Sequence, residues 1–255
     1  MVIKKHTCSL TAAFLILLGG VVFTLHIKPP STGFVIEVVD GDTIRLKSGA
    51  LIRYLGLNSP ETKSRDSGSW VNKESYWGRK AYLINKELVL NKQIRIEYDK
   101  KKKDKYKRLL GYVFAGDVFV NKNIIQEGLA VIDVRSPNFK YVDLLADSFK
   151  NALDKKKGIW SNTGFIDLEK ASLFEGDVVA VKGKILDVYE GKEVYIFLMP
   201  LGFKIVLFKN NSLLFKSMNF MELKNKQVKV YGMIKKYKKH FEMVIHHPYQ
   251  LEAVE

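Results

Sequence analysis

From Gly33 onward, short apolar runs alternate with turn residues, the pattern of strands rather than of long helices. Residues 34–39, 43–47 and 51–57 read as three consecutive strands, a meander. Residues 62–73 are polar and read as a loop. Over residues 77–90 the period changes: Trp77, Ala81, Ile84 and Leu88 recur at helical spacing and predict an amphipathic helix. Residues 93–98 and 109–114 return to the strand pattern on either side of a charged turn at 100–103. Residues 120–127 read as a short helix ended by Gly128, and 141–156 as a longer one ended by Gly158. Five strands with interspersed helices over residues 33–162 suit a small closed β-barrel of OB type with helices packed on it.

A second β-rich unit follows Gly164. Residues 178–188, 194–198, 203–208, 227–234 and 241–245 read as strands, with a helix over 212–219. Val181-x-Gly183-x-Ile185 and Val230-x-Gly232-x-Ile234 place a glycine inside a strand, which permits the coil a small barrel needs. Tyr189, Tyr195, Phe197, Tyr231, Tyr237 and Phe241 interleave with Lys184, Lys192, Lys235, Lys236, Lys238 and Lys239. Single-strand binders combine such rings for bases with such cations for phosphates. Period two also sends about half of any strand's side chains inward. Two readings therefore stand, a binding face or a core with a solvated turn, and protein docking or a membrane-proximal role stays open. The fold class expected is mainly β with helices: two OB-like five-stranded barrels in tandem behind an N-terminal hydrophobic helix.

That helix is expected from the start of the chain. Residues 1–6 are basic and 7–27 are apolar, long enough as a helix (~30 Å at ~1.5 Å per residue) to cross a bilayer core. Ala12 and Ala13 lie too early for a cleavage site and Val22-Phe23-Thr24 is a poor one, so an uncleaved membrane anchor is favoured over a cleaved signal peptide. Either way the remainder is expected outside the cytoplasm, anchored or secreted. Residues 28–32 and 163–170 read as linkers, leaving 33–162 and 171–255 as the two folded units.

Charge narrows the partner. The 255 residues carry 42 Lys+Arg against 27 Asp+Glu, a net +15, which predicts a polyanion: nucleic acid, anionic lipid or another polymer. The one cysteine, Cys8, excludes a disulfide framework, a cysteine zinc site and a thiol nucleophile from the folded part. The five histidines lack metal spacing; adjacent His246 and His247 read as surface or edge residues.

The chemistry gathers around "VVDGDTIRL", residues 38–46. Asp40-Gly41 alone is a hairpin signal, but Asp42 and Thr43 follow where the returning strand begins. Downstream, "IRYLGLNSPETK" contributes Arg53, Asn58, Ser59 and Glu61, and "DKYKRLLGY" contributes Arg108. With "QEGLA" at 126–130 and "GIWS" at 158–161, this ordered set over about residues 33–162 resembles the thermonuclease family, the calcium-dependent staphylococcal-nuclease-like phosphodiesterases. The second unit resembles OB-fold nucleic-acid-binding domains.

The first resemblance implies a Ca²⁺ bound by Asp42, the Asn58 side-chain oxygen and the Ser59 carbonyl, with Asp40 behind them. A hard divalent cation with oxygen ligands would neutralise an anionic phosphodiester. It implies Arg53 and Arg108 as planar donors to the phosphate, Glu61 as general base, and Lys105 and Tyr106 as substrate contacts. The product would be 3′-phosphate ends on DNA or RNA. Three departures stand out. Asn58 replaces the family's second metal carboxylate, which predicts weaker calcium binding, toward ~10⁻⁴–10⁻³ M. Lys107 stands where a glycine often precedes the second arginine. "DVRSP", residues 133–137, replaces the family's paired tyrosines. The leading expectation is a calcium-dependent nuclease acting on DNA and/or RNA, with no protein partner evident. A nucleic-acid-binding protein with a degenerate nuclease barrel, and an anchored module for anionic surface polymers, are the alternatives.

Overall fold

β1 (Thr32–Asp40) turns at Gly41 into β2 (Thr43–Leu46), and β3 (Leu51–Tyr54) pairs antiparallel with β2. This computed structural model describes residues 28–66, 69–161 and 165–254. The third expected strand breaks after Tyr54. Its continuation β4 (Gly56–Asn58) leaves the sheet and pairs with β10 (Val131–Asp133). Gly56 makes the break possible: its φ is +82°, and a Cβ there would stand 2.3 Å from Leu145 Cδ1.

The expected polar loop instead holds a hairpin of β5 (Lys63–Asp66) and β6 (Ser69–Glu74). Alternating apolarity reports burial, whereas a ladder is held by backbone hydrogen bonds and can form from polar residues. The chain then enters α1 (Tyr76–Val89), capped by Ser75, whose hydroxyl accepts from the Gly78 amide at 3.3 Å.

β7 (Gln93–Glu97) flanks β1, and β8 (Leu109–Ala115) pairs antiparallel with β7 and parallel with β3. The β3–β8 pairing closes a five-stranded barrel in the order β1-β2-β3-β8-β7. Val35, Ile44, Ile52 and Val113 are fully buried, in keeping with inward-facing positions of a small barrel. β9 (Val118–Phe119), α2 (Val120–Gln126) and α3 (Val142–Asp154) follow, with Gly128 at φ +68° ending α2 as expected.

The second unit holds β11 (Val178–Lys184), β12 (Asp187–Glu190), β13 (Val194–Leu198), β14 (Lys204–Phe208), β15 (Gln227–Tyr237), β16 (His240–Ile245) and β17 (Leu251–Val254). The sheet runs β11-β15-β16-β14-β13-β12, with β17 on β15. Its β14–β16 pairing is parallel, as β3–β8 is in the barrel. The expected strand over 178–188 is split at Ile185 and Leu186, and the expected helix over 212–219 is a 3-10 turn at Lys209–Phe215. Ile166, inside the expected linker, already bridges to Val181.

A second apolar core forms around Phe197, Ile205, Val230 and Ile245. Val178 and Met233 belong instead to the first core, so the two units share a packed boundary. The apolar run 7–27 lies outside the described residues. Among the described residues no helix is long and apolar enough to cross a membrane.

Candidate active site

The β1–β2 turn delivers Asp42 into the protein rather than to solvent; it is 4% exposed. Its Oδ2 accepts from the Ser59 amide at 2.9 Å and the Ser59 hydroxyl at 3.1 Å, and its Oδ1 from the Thr43 hydroxyl at 3.1 Å. The Asp42 amide donates to Asp40 Oδ1 at 2.9 Å, so Asp40 folds over the turn. Gly41 is required here for space rather than for φ. A Cβ would stand 2.6 Å from both Ser59 Oγ and Ala81 Cβ.

Strand register brings the first guanidinium to this acid. Arg53 pairs with Thr43 across β2–β3. Arg53 Nη2 donates to Asn58 Oδ1 at 2.7 Å, and Nη1 lies 2.5 Å from Asp42 Oδ2. The second contact is an ion pair off the line of a hydrogen bond, leaving that Nη1 without a hydrogen-bond acceptor. Burial pushes the Asp42 carboxyl up to about 7; Arg53 opposes the rise and Asp40 adds to it. Desolvation thus outweighs the compensation that Arg53 supplies.

Arg108 immediately precedes β8, whose parallel register sets Ile52 against Leu109 and Arg53 against Leu110. Asp104 aims it: Nε donates to Asp104 Oδ2 at 2.7 Å, and Oδ1 accepts from the Arg108 and Tyr106 amides at 2.9 Å each. Tyr106 is 68% exposed, with Lys105 Nζ 5.0 Å and the Arg108 guanidinium 5.6 Å from its ring. Lys107 adopts φ +67°, the left-handed conformation a glycine favours, and the turn closes regardless.

Glu61 is exposed to solvent, yet enough protein surrounds it to desolvate its carboxyl. That surrounding raises its pKa, Asp42 adds to the rise, and Arg53, Arg108 and Lys235 counter it. One charge field therefore joins Asp42, Arg53, Glu61 and Arg108. The charges of both arginines reach Glu61.

Residues that the sequence reading did not single out hold this arrangement. A Cβ on Gly78, in the first turn of α1, would stand 2.3 Å from the Glu61 carbonyl oxygen, so the Glu61 backbone rests against the helix. Asn85, fully buried on α1, donates to the Asp40 carbonyl at 2.9 Å and accepts from the Tyr54 hydroxyl at 2.7 Å.

The second unit reaches the same residues. Asn58 Nδ2 donates to Met233 Sδ at 3.1 Å, and a Cβ on Gly176 would stand 4.0 Å from Glu61 Cγ. His246, expected at the surface or an edge, is buried, 3.3 Å from Asp133 Oδ1. Just past the end of β16 it faces the first unit, and the interface covers it. Burial pushes its pKa down to about 4, outweighing the pull of Asp133. Burial alone would raise Asp133; facing His246 and Arg135 outweigh it and hold Asp133 well below the usual carboxylate range. Asn211 ties residues 134–136 to the second unit: its amide donates to the Val134 carbonyl at 2.6 Å and its Oδ1 accepts from the Ser136 amide at 2.9 Å.

A family model described as staphylococcal nuclease homologue matches residues 51–162. The thermonuclease of Staphylococcus hyicus is 37% identical over 131 residues, which is 50% of this chain and 75% of that protein. The thermonuclease of Staphylococcus intermedius is 36% identical over 127 residues, 49% of this chain and 73% of that protein. The chain belongs to the staphylococcal nuclease family. This nuclease is also 38% identical over 135 residues to the SPbeta prophage-derived endonuclease YokF of Bacillus subtilis (strain 168); there the match spans 51% of the nuclease and 44% of the relative. The family match ends at residue 162, so β11 to β17 lie beyond it.

Among the described residues of the nuclease there is no cluster of three or more His, Cys, Asp or Glu able to hold a metal. The Asn58 substitution bears directly on this, because it leaves an amide oxygen where a carboxylate would add charge. Asp42 Oδ2 and Asn58 Oδ1, which both face Arg53, are oxygens of the kind a hard divalent cation takes. Burial is what chiefly raises the Asp42 pKa, and a bound cation would favour its ionised form.

Proposed function

We propose that the nuclease is a calcium-dependent phosphodiesterase that hydrolyses DNA, RNA or both, exported and held at a membrane by residues 7–27. The convergence of Arg53, Arg108 and Glu61 around the buried Asp42 turn carries this reading.

Asp42, Asn58 Oδ1 and the Ser59 carbonyl would hold the calcium, with Asp40 steadying Asp42. The ion would supply positive charge to the phosphodiester. Arg53 and Arg108 are assigned to the non-bridging phosphate oxygens, where planar guanidinium donors gain most as charge collects in the transition state. Glu61 accepts the proton of the attacking water. Its raised pKa brings it closer to neutral pH, where a base both starts deprotonated and takes up the proton. The phosphorus–5′-oxygen bond breaks, the departing oxygen takes a proton from solvent, and a 3′-phosphate end remains. Lys105 and exposed Tyr106 border the path of the strand.

The second unit is proposed to be a second OB-type barrel that binds single strands. Its pairing order, with the parallel β14–β16 pair, repeats that of the first barrel. Of the six aromatics interleaved with lysines, Phe197 is buried and Tyr231 meets Trp160, while Tyr189 and Tyr237 are 51% and 55% exposed. A stacking surface there rests on the last two.

Digestion of single-stranded DNA by the full-length protein, with calcium and then with a chelator, tests the enzyme. Cleavage with calcium alone is expected. Equal rates in both, or none in either, would overturn the reading.

A further inference from the structure

Strand β15 sends its side chains to two destinations. Val228, Val230 and Ile234 enter the second core. The opposite face, at period two, carries Tyr231, Met233, Lys235 and Tyr237. The first two touch the nuclease unit: Tyr231 meets Trp160 edge-on at 5.7 Å, and Met233 Sδ accepts from Asn58 Nδ2 at 3.1 Å.

Lys235 is next along this face. It lines a small cavity together with Asn58, Asp133, Met233 and His246. It lies close enough to Asp133, Arg135, Arg53 and Glu242, its cross-strand partner on β16, to feel their charges, and Glu61 feels its own. Among the described residues, none hydrogen-bonds its ammonium and none pairs with it at salt-bridge distance. Asp133 and Glu242 stand near this half-buried cation but neither reaches salt-bridge distance, so its ammonium stays open to an arriving anion beside the two guanidinium groups. Gly176, at φ +86°, lets the same unit run against Glu61 without a side chain in between. One step beyond Lys235, Tyr237 is 55% exposed, with Lys238 Nζ 5.6 Å from its ring.

We propose that β15 completes the substrate cleft of the nuclease: Lys235 binds the phosphate next to the scissile one on a single strand, and Tyr237 stacks on a base beyond it. This subsite rests on the phosphodiesterase reading above, and it belongs to a surface outside the nuclease-family match. It makes the active site composite, with chemistry on the first barrel and one wall from the second unit.

The test uses full-length protein with Lys235→Met, Lys235→Arg and Tyr237→Ala, and two substrates: a single-stranded decanucleotide and a nitrophenyl phosphodiester too small to span the cleft. With Lys235→Met, the ratio of the decanucleotide KM to the ester KM rises about tenfold, and the log–log salt slope of decanucleotide binding shallows by about 0.7, the loss of one phosphate contact. Lys235→Arg keeps both near the parent values. Tyr237→Ala raises the same KM ratio at least fivefold, at the low end of about 1–3 kcal/mol per stacked base. An unchanged ratio and slope, or an equal loss on both substrates, overturns the subsite. Melting temperatures accompany each variant; if Lys235→Met lowers its own, Lys235→Arg and Tyr237→Ala decide. Ester hydrolysis by the parent with calcium reports on the phosphodiesterase reading separately. If the parent cleaves nothing, the salt slope of binding still decides the subsite.

Discussion

The two sheets share a pairing order and differ in what their turns carry. In both, one parallel pairing, β3–β8 or β14–β16, joins strands far apart in sequence. In the first, the turn after β1 carries Asp40 and Asp42, β3 carries Arg53, and Arg108 precedes β8. In the second, the turn between β12 and β13 carries Gly191, Lys192 and Glu193, and the parallel pair opens on Lys204 opposite Glu242. A shared strand order determines which strand ends meet. Chemistry arises only where acids and guanidinium groups occupy those ends. The second unit contributes instead through one strand face laid against the first.

The largest effect expected is at the residues that set the first unit apart. Glu61→Gln should lower kcat by ~10²–10⁴ while oligonucleotide affinity stays near the parent value. Steady-state kinetics with a parallel binding titration checks this, and affinity lost in step with turnover would count against a base. Gly78→Ala comes next. It forces the Glu61 backbone away from α1, and a shift of about 1 Å at a reacting group can cost ~10²-fold in kcat. The same variant with an unmoved rate would show that Glu61 does not depend on that contact.

The turn acids were legible as a second carboxylate past a hairpin glycine, whereas Arg53, Glu61 and Arg108 were legible through the ordered set of motifs that resembles the family. Gly78 was not, since a glycine in a helix reads as a neutral flaw until the backbone it admits is visible. Asn85 reads as a polar residue on a solvated helix, yet it is buried, and its two partners lie 31 and 45 residues away. The β5–β6 hairpin escaped because polar strands give no alternation. His246 escaped because a two-unit interface leaves no periodic trace. In β15 the aromatic and lysine positions were visible, but alternation alone could not say that its outward face meets another unit.

The interface has its own signature. His246 binds a proton at pH about 4 in the folded protein and about 6.5 when unfolded. The unfolded chain therefore takes up more protons between those values, and folding loses stability as pH falls through that window. The full effect, about 3 kcal/mol, is reached below pH 4. Urea denaturation at pH 7 and pH 4.5 measures it, and a His246→Gln variant should lose much of the difference. If parent and variant respond alike, His246 is not the source. The smallest effect concerns Lys107, held at φ +67°. Lys107→Gly should stabilise the protein by about 1 kcal/mol through relief of the left-handed conformation. A denaturation midpoint that falls would mean the lysine side chain contributes more than its backbone costs.

The central claim is that Arg53 and Glu61 act on one phosphorus atom, and a double-mutant cycle on single-turnover cleavage tests it most directly. The account predicts that Arg53→Ala combined with Glu61→Gln is little slower than the worse single variant, as for groups that work as one unit. Losses that multiply, each variant slowing cleavage by its full factor in the other's background, would contradict it.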